Sequence, residues 1–168
     1  AITVFISNNH WIKAIKGHDI DKSKIKYKSG DSEKYIIETY NTDKLIIASN
    51  LGQFYTIANY KLEISAKEEE ALNFLFDFSP DEKIITIFEF KTDQKYMLIS
   101  DDGRGFITNS DNFLSIKKTG KAVFTCKNNN LVRIEKMIEE HDSLVAVNSL
   151  RRMVIVKLDQ IPVMQKGR

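Results

Sequence analysis

The sequence has little of what staples or interrupts a chain. It holds one cysteine, Cys126, in 168 residues. That excludes an internal disulfide framework and a multi-cysteine zinc site, and it fits a reducing compartment. Cys126 reads as a small core residue rather than a nucleophile, because no basic partner motif accompanies it. There are two prolines, Pro80 and Pro162, and both fall at inferred strand boundaries. No Ser/Gly/Pro-rich linker divides the chain. The uncharged apolar runs are only a few residues long, so no helix spans a membrane. No Gly-rich loop ending in Gly-Lys-Ser or Gly-Lys-Thr is present for ATP. The opening residues Ala1–Ile6 lack the basic start and long apolar stretch of a secretion signal. They read as a strand already in progress, and the expectation is an excised domain. What remains is 42% hydrophobic and 29% charged, with a net charge of +2. That is an ordinary globular composition, large enough to bury a core, with a basic lean too mild to announce nucleic acid.

The chain repeats itself. Val4–Lys13, Ile46–Tyr55, Met97–Phe106 and Val145–Val154 can be superposed. Each is an apolar triplet, a small polar residue, a turn and a second apolar stretch, which is a hairpin signature. The anchors Ser7, Ser49, Ser100 and Asn148 are spaced by 42, 51 and 48 residues. The turns Asn8-Asn9, Asn50-Leu51-Gly52 and Asp101-Asp102-Gly103 carry residues that tolerate positive φ. Tyr35–Thr39, Ile84–Phe90 and Ala122–Cys126 are further strand candidates. Alternation of Leu72, Phe74, Phe76 and Phe78 predicts another strand, with a helical turn over 67–72 as the competing reading. Lys136–Glu140 is a short helix candidate. About four strands per unit indicate blades of antiparallel sheet. The expectation is an all-β array of about three blades, near 1–50, 51–100 and 101–168.

Charge is unevenly placed. Residues 1–30 hold six lysines against two aspartates, and residues 94–136 hold eight basic side chains against four acidic. Residues 61–93 are the reverse, with four basic and nine acidic. Such asymmetry creates local fields beneath a near-neutral total. Lysines at blade edges suit DNA phosphates, which need a cation and no fixed spacing. The plainer alternative is a solvated strand or loop through Lys22, Lys24, Lys26 and Lys28. The acidic middle is either a solvated outer face or an edge that DNA avoids or that a protein partner uses. His18, Asp19 and Asp21 place three ligand-type residues in four positions, but strand neighbours point apart and no second cluster lies nearby. An Asx-type loop is the favoured reading there, ahead of a metal site or an independent hydrolase. His10 and His141 read as surface residues. Trp11 reads as inter-blade packing ahead of base stacking.

The stretch Ser7–Asp21, with Lys16-Gly17-His18-Asp19-Ile20-Asp21 as its most specific piece, and Tyr27–Ser32 after it, resembles a known family. It is similar to the first blade of the C-terminal domain of the A subunit of bacterial DNA topoisomerase IV, in the gyrase/topoisomerase IV A-subunit family. Ser100–Phe106, Gly120-Lys121-Ala122 and Ile161–Gly167 add to the likeness, which runs through the whole chain and is weakest over about 63–93. The related gyrase domain carries a Gln-Arg-Arg-Gly-Gly-Lys-Gly box. Here Tyr27-Lys28-Ser29-Gly30-Asp31 stands in its place, without paired arginines, which favours topoisomerase IV.

The resemblance implies a β-pinwheel, a propeller-like array of four-stranded antiparallel blades with a strand exchanged between neighbours. This chain then supplies one domain of about three blades, expected to be a truncated, open array. It also implies a sequence-nonspecific duplex-DNA-binding module that captures and orients a segment for ATP-dependent strand passage, in decatenation and supercoil relaxation. The expected DNA contacts are Lys13, Lys16, Lys22, Lys24, Lys26, Lys28, Arg104, Lys117, Lys118, Lys121, Arg151 and Arg152. The module itself is expected to be non-catalytic and free of cofactor, metal and small-molecule substrate. The family's cleaving tyrosine directly follows an arginine in another domain, and none of the six tyrosines here does. ATP and magnesium are implied only for the holoenzyme. Implied partners are duplex DNA, the rest of the DNA-cleaving A subunit, and the ATPase-bearing B subunit in an A2B2 assembly. The alternative is a protein-interaction module for a condensin-like chromosome protein. The implied location is the bacterial cytoplasm, on the chromosome, with peripheral inner-membrane association.

Overall fold

Apolar triplets flanking short polar turns fold back on themselves four times in the computed structural model, which describes residues 1–65, 67–139 and 141–167. In chain order the elements are β1 (Ile2–Ser7), β2 (Trp11–Lys16), β3 (Glu33–Thr39), β4 (Lys44–Ser49), β5 (Gln53–Ala58), β6 (Glu70–Ala71) and the helical turn α1 (Leu72–Leu75). Then come β7 (Ile84–Glu89), β8 (Lys95–Ser100), β9 (Gly105–Asn109), β10 (Lys121–Ala122), β11 (Leu131–Lys136), β12 (Ser143–Val147) and β13 (Met153–Lys157). Among the described residues the strands pair antiparallel in four sheets, ordered β3-β1-β2-β6, β10-β5-β4-β7, β11-β8-β9 and β12-β13.

One turn is built four times. The N–H groups of His10, Gly52, Gly103 and Arg151 donate to the carbonyls of Ser7, Ser49, Ser100 and Asn148, at 3.0–3.1 Å. Each donor residue has positive φ, between 58° and 84°. The backbone must pass through the left-handed region there to reverse with the strand twist, so glycine fits best. In the first turn the strained position is His10, not the Asn8-Asn9 pair expected to carry it. The anchor side chains of Ser7, Ser49 and Asn148 each accept from the N–H four residues on. In the first three hairpins the residue after the anchor donates across to the lead-in of the third strand, from Asn8 to Ser32, Asn50 to Lys83 and Asp101 to Asn130, each at 2.9 Å.

The fourth strand of a sheet comes from the next repeat. After β5 the chain crosses back so that Ile64 bridges Ala14 and β6 pairs with β2. After β9 it crosses again and β10 pairs with β5. After β13 Val163 bridges Ile107, and Gly167 bridges Phe124. This is the strand exchange of a β-pinwheel.

Two cores separate three sheets. Leu45 and Ile47 of β4 face the first core with Val4, Ile12 and Leu72, while Ile46 and Ala48 face the second with Leu98, Phe106 and Phe124. A strand buried on both faces must be apolar at both parities, which explains the unbroken Leu-Ile-Ile-Ala run. In the second core the Phe54 and Phe113 rings stack 4.4 Å apart.

Three local expectations are corrected. Residues 72–75 are helical and not a strand, because the Phe76 N–H donates to the Leu72 carbonyl at 2.9 Å. That i, i+4 spacing sends Leu72 and Phe76 into one core and leaves Phe74 exposed. Lys136 ends strand β11, and Met137–Glu139 are not helical; Glu140 lies outside the described residues. The strand expected over Ala122–Cys126 contracts to β10 and one bridge, since the N–H groups of Val123 and Phe124 both turn to the Gly52 carbonyl. Gly52 admits that approach because a Cβ there would strike the Phe124 carbonyl.

Candidate nucleic-acid interface

The twelve basic residues expected at DNA lie on five stretches of backbone. Lys13 and Lys16 are on β2, in register with Phe5 and Ile2. Strand alternation puts them on opposite faces, with Lys16 at the end away from the hairpin turn. Lys22, Lys24, Lys26 and Lys28 are exposed along the loop joining β2 to β3. Lys117, Lys118 and Lys121 follow the crossing segment that ends in β10, and all three are exposed. Arg104 follows the β8–β9 turn, while Arg151 and Arg152 belong to the β12–β13 turn. The structure therefore brings Lys117, Lys118 and Lys121 together and leaves Lys16 at the opposite end of its sheet from the hairpin turn.

Neighbouring carboxylates divide the group further. Lys22 pairs with Glu33 at 3.9 Å, Lys24 with Asp21 at 3.7 Å, Lys28 with Glu69 at 3.4 Å and Arg104 with Asp102 at 2.8 Å. The Lys28 ammonium also sits over the Trp11 ring, and the Arg104 guanidinium lies 5.6 Å from the Phe124 ring centre. Such exposed pairs hold a side chain only weakly. Among the described residues Lys13, Lys16, Lys26, Lys117, Lys118, Lys121, Arg151 and Arg152 make no ion pair.

The loop carrying Lys22–Lys28 is organised by acidic side chains. Asp21 caps a 3-10 turn over Lys22–Lys24, and its carboxyl is held below the usual range by hydrogen bonds from Ser23. Asp31 opposes some desolvation, yet hydrogen bonds from Ser7, Ser32, Asn9 and Asn8 bring it below that range. Burial, then Glu33 and Asp31, push the Tyr27 hydroxyl up to about 12. The His18-Asp19-Asp21 group is committed to the same architecture. His18 Nε2 donates to the Thr39 carbonyl at 2.9 Å, and the Asp19 N–H, at φ 54°, donates to Glu38 at 2.9 Å. No group of three or more His, Cys, Asp or Glu suited to a metal occurs among the described residues. Burial raises the Cys126 thiol above its ordinary value, which disfavours the nucleophilic thiolate.

Sequence reasoning passed over Lys44 and Lys61, which flank a groove with Lys117 and Lys118. The Tyr60-Lys61 dipeptide was its one local signal. No helix among the described residues is long and apolar enough to cross a membrane.

The chain is 35% identical over 167 residues to the A subunit of DNA topoisomerase 4 from Rickettsia conorii, covering 99% of this chain and 22% of that protein. It is 30% identical to the Caulobacter vibrioides counterpart and 27% identical to that of Escherichia coli K12, each with the same coverage. It thus spans about a fifth of the length of the curated relatives it matches. The solved structure of the E. coli ParC C-terminal domain is similar with a TM-score of 0.90 and 27% identity, over 99% of this chain and 68% of that one. A crystal structure of the C-terminal domain of DNA topoisomerase IV shares the fold, with a TM-score of 0.80 at 13% identity, over 97% and 53%. No family model matches the sequence. Repeated turns, exchanged strands and these likenesses agree: the chain has the β-pinwheel fold of topoisomerase IV C-terminal domains and is similar over 99% of its length to the A subunits of that enzyme.

Proposed function

We infer that this domain is a non-catalytic module that binds duplex DNA without sequence preference. It holds a segment for double-strand passage by a holoenzyme whose ATP, magnesium and cleaving tyrosine belong to other domains and subunits. The observation that carries the reading is the set of exposed cations that make no ion pair among the described residues: Lys16, Lys26, Lys117, Lys118, Lys121, Arg151 and Arg152. A cation without a carboxylate partner exchanges its counterions for a phosphate at least cost. Their spread over several blades suits a long, curved contact with a duplex rather than a pocket for one base. The ATPase-bearing subunit and the remaining domains of the DNA-cleaving one complete the assembly in this reading, on the chromosome in the bacterial cytoplasm. Peripheral inner-membrane association would follow from the same assembly.

A salt titration of duplex binding tests it. If about four phosphates are neutralised, log K falls against log salt with a slope near −3.6. Reversing Lys16, Lys26 and Lys121 to Glu together flattens the slope and weakens every DNA sequence about equally. Unchanged affinity at low salt would overturn the reading. A second reading, a face for a condensin-like chromosome protein, is favoured by one observation. Glu63, Glu68, Glu69 and Glu70 line a small cleft beside β2. Hydrogen bonding and repulsion from Glu68 raise the Glu63 carboxyl above its ordinary value.

A further inference from the structure

Beside β5 and α1 lies a concave groove of about 700 Å³ that shares only one edge, Lys117 and Lys118, with the cations assigned to DNA. Its walls are β5, the turn after it, α1 and the segment 114–118. Phe74, Ile116 and Tyr60 open into it, at 74%, 104% and 65% exposure. Large apolar groups left this open in a cluster mark an interaction surface more often than a solvated face. Four lysines, Lys44, Lys61, Lys117 and Lys118, stand around the apolar floor, and no lining residue is acidic. None of the four makes an ion pair among the described residues.

The groove walls are fixed by hydrogen bonds from the main chain. The Ser115 N–H donates to Thr56 Oγ1 at 3.0 Å, and the Asp77 N–H donates to the Lys118 carbonyl at 2.9 Å. The site is thus built before any occupant arrives, which lowers the cost of binding.

The geometry points to a docking groove for an acidic peptide segment that carries large apolar side chains. Apolar anchors pack over the buried floor of Ile57, Leu62 and Phe76 and against the exposed Phe74 and Ile116 side chains, and carboxylates on either side meet the lysine rim. A duplex satisfies the rim alone, because its phosphate ridge offers no apolar group to a concave floor. A lipid surface satisfies both chemistries but is flat, whereas this site is recessed. The proposal stands apart from DNA binding, although an occupant would cover Lys117 and Lys118 and so compete with phosphate at one edge.

Fluorescence polarisation on the 168-residue chain tests it. The probe is a short labelled peptide alternating Glu with Leu and Phe, with two controls that replace either the apolar residues by Ser or the Glu by Lys. The parent peptide should bind, and each control should bind at least about tenfold more weakly, as loss of an anchor does at an interface centre. Phe74→Ser with Ile116→Ser should weaken the parent peptide by about tenfold while the salt slope for duplex DNA stays unchanged. Lys44→Glu with Lys61→Glu should do the same, and this pair carries the test if the first variant melts early. Equal binding of the Ser control would reduce the groove to bare electrostatics and overturn the proposal. So would Phe74-dependent binding to phosphatidylglycerol vesicles that exceeds binding to the peptide.

Discussion

The β4–β5 and β12–β13 hairpins share a turn and differ in nearly everything else. Both reverse through a residue at positive φ, Gly52 in one and Arg151 in the other, closed by the same hydrogen bond. β4 and β5 then gain β7 on one side and β10 on the other, and β4 is buried on both faces. β12 and β13 pair only with each other among the described residues, and Val145, Val147, Met153, Val154 and Ile155 are all more than half exposed. Local sequence is therefore enough to make the hairpin, while neighbouring repeats supply its burial. In an array of this kind stability lives in the contacts between repeats.

The largest expected effect sharpens this contrast. Ile46 and Val145 hold the same place relative to their turns, three residues before Ser49 and Asn148. Ile46 is wholly buried and Val145 is 54% exposed. Ile46→Ala should cost about 2–5 kcal/mol, as truncation of a buried aliphatic side chain does. Val145→Ala should cost within about 0.5 kcal/mol, as exposed substitutions do. Denaturant unfolding of both variants measures the difference. Similar losses would mean that the last hairpin is covered in solution.

The turn position gives a smaller contrast of opposite sign. Gly52→Ala forces a side chain to positive φ, which alone costs about 1–2 kcal/mol, and it also presses on the Phe124 carbonyl. Arg151→Gly removes the same strain, so its effect should lie between no change and a gain of about 1 kcal/mol. Thermal melting of the pair checks the signs. Loss of stability in both variants would show that Arg151 makes a contact worth more than its strain.

The sequence carried the hairpins because their signals are local: alternation, a small polar anchor and a turn residue within ten positions. It did not carry β6, and it carried β10 only as the start of a longer strand over Ala122–Cys126; each is two residues long. Their pairing is set by β2 and β5, more than fifty residues away, and nothing in Glu70-Ala71 or Lys121-Ala122 announces it. Residues 72–78 misled for a related reason. Leu72 and Phe76 answer to one core, but the alternating phenylalanines fit a strand equally well until that core is known. The cations were legible as charge and not as geometry. Lys28 looks as free as Lys26 in the sequence, yet Trp11 and Glu69 hold it from distant segments.

The smallest expected effect compares the first turn with the last. His10 and Arg151 both occupy the positive-φ position, but only His10 titrates near neutrality. Partial burial and then Lys34 lower the His10 pKa below its ordinary value, with Asp31 opposing them. The folded chain thus prefers neutral imidazole, while the unfolded chain takes up its proton near the ordinary value of about 6.5. Stability from this residue is fully present above that value and is lost as pH falls towards the lower folded pKa. His10→Asn keeps a residue that tolerates positive φ and removes the titration. Between about pH 7.5 and 5.5 the melting temperature of the unaltered chain should fall more than that of the variant, within the range where a histidine changes charge. Arg151→Asn, at the equivalent turn, should leave the pH profile unchanged. Parallel profiles for all three chains would show that the first turn gains nothing from a neutral ring.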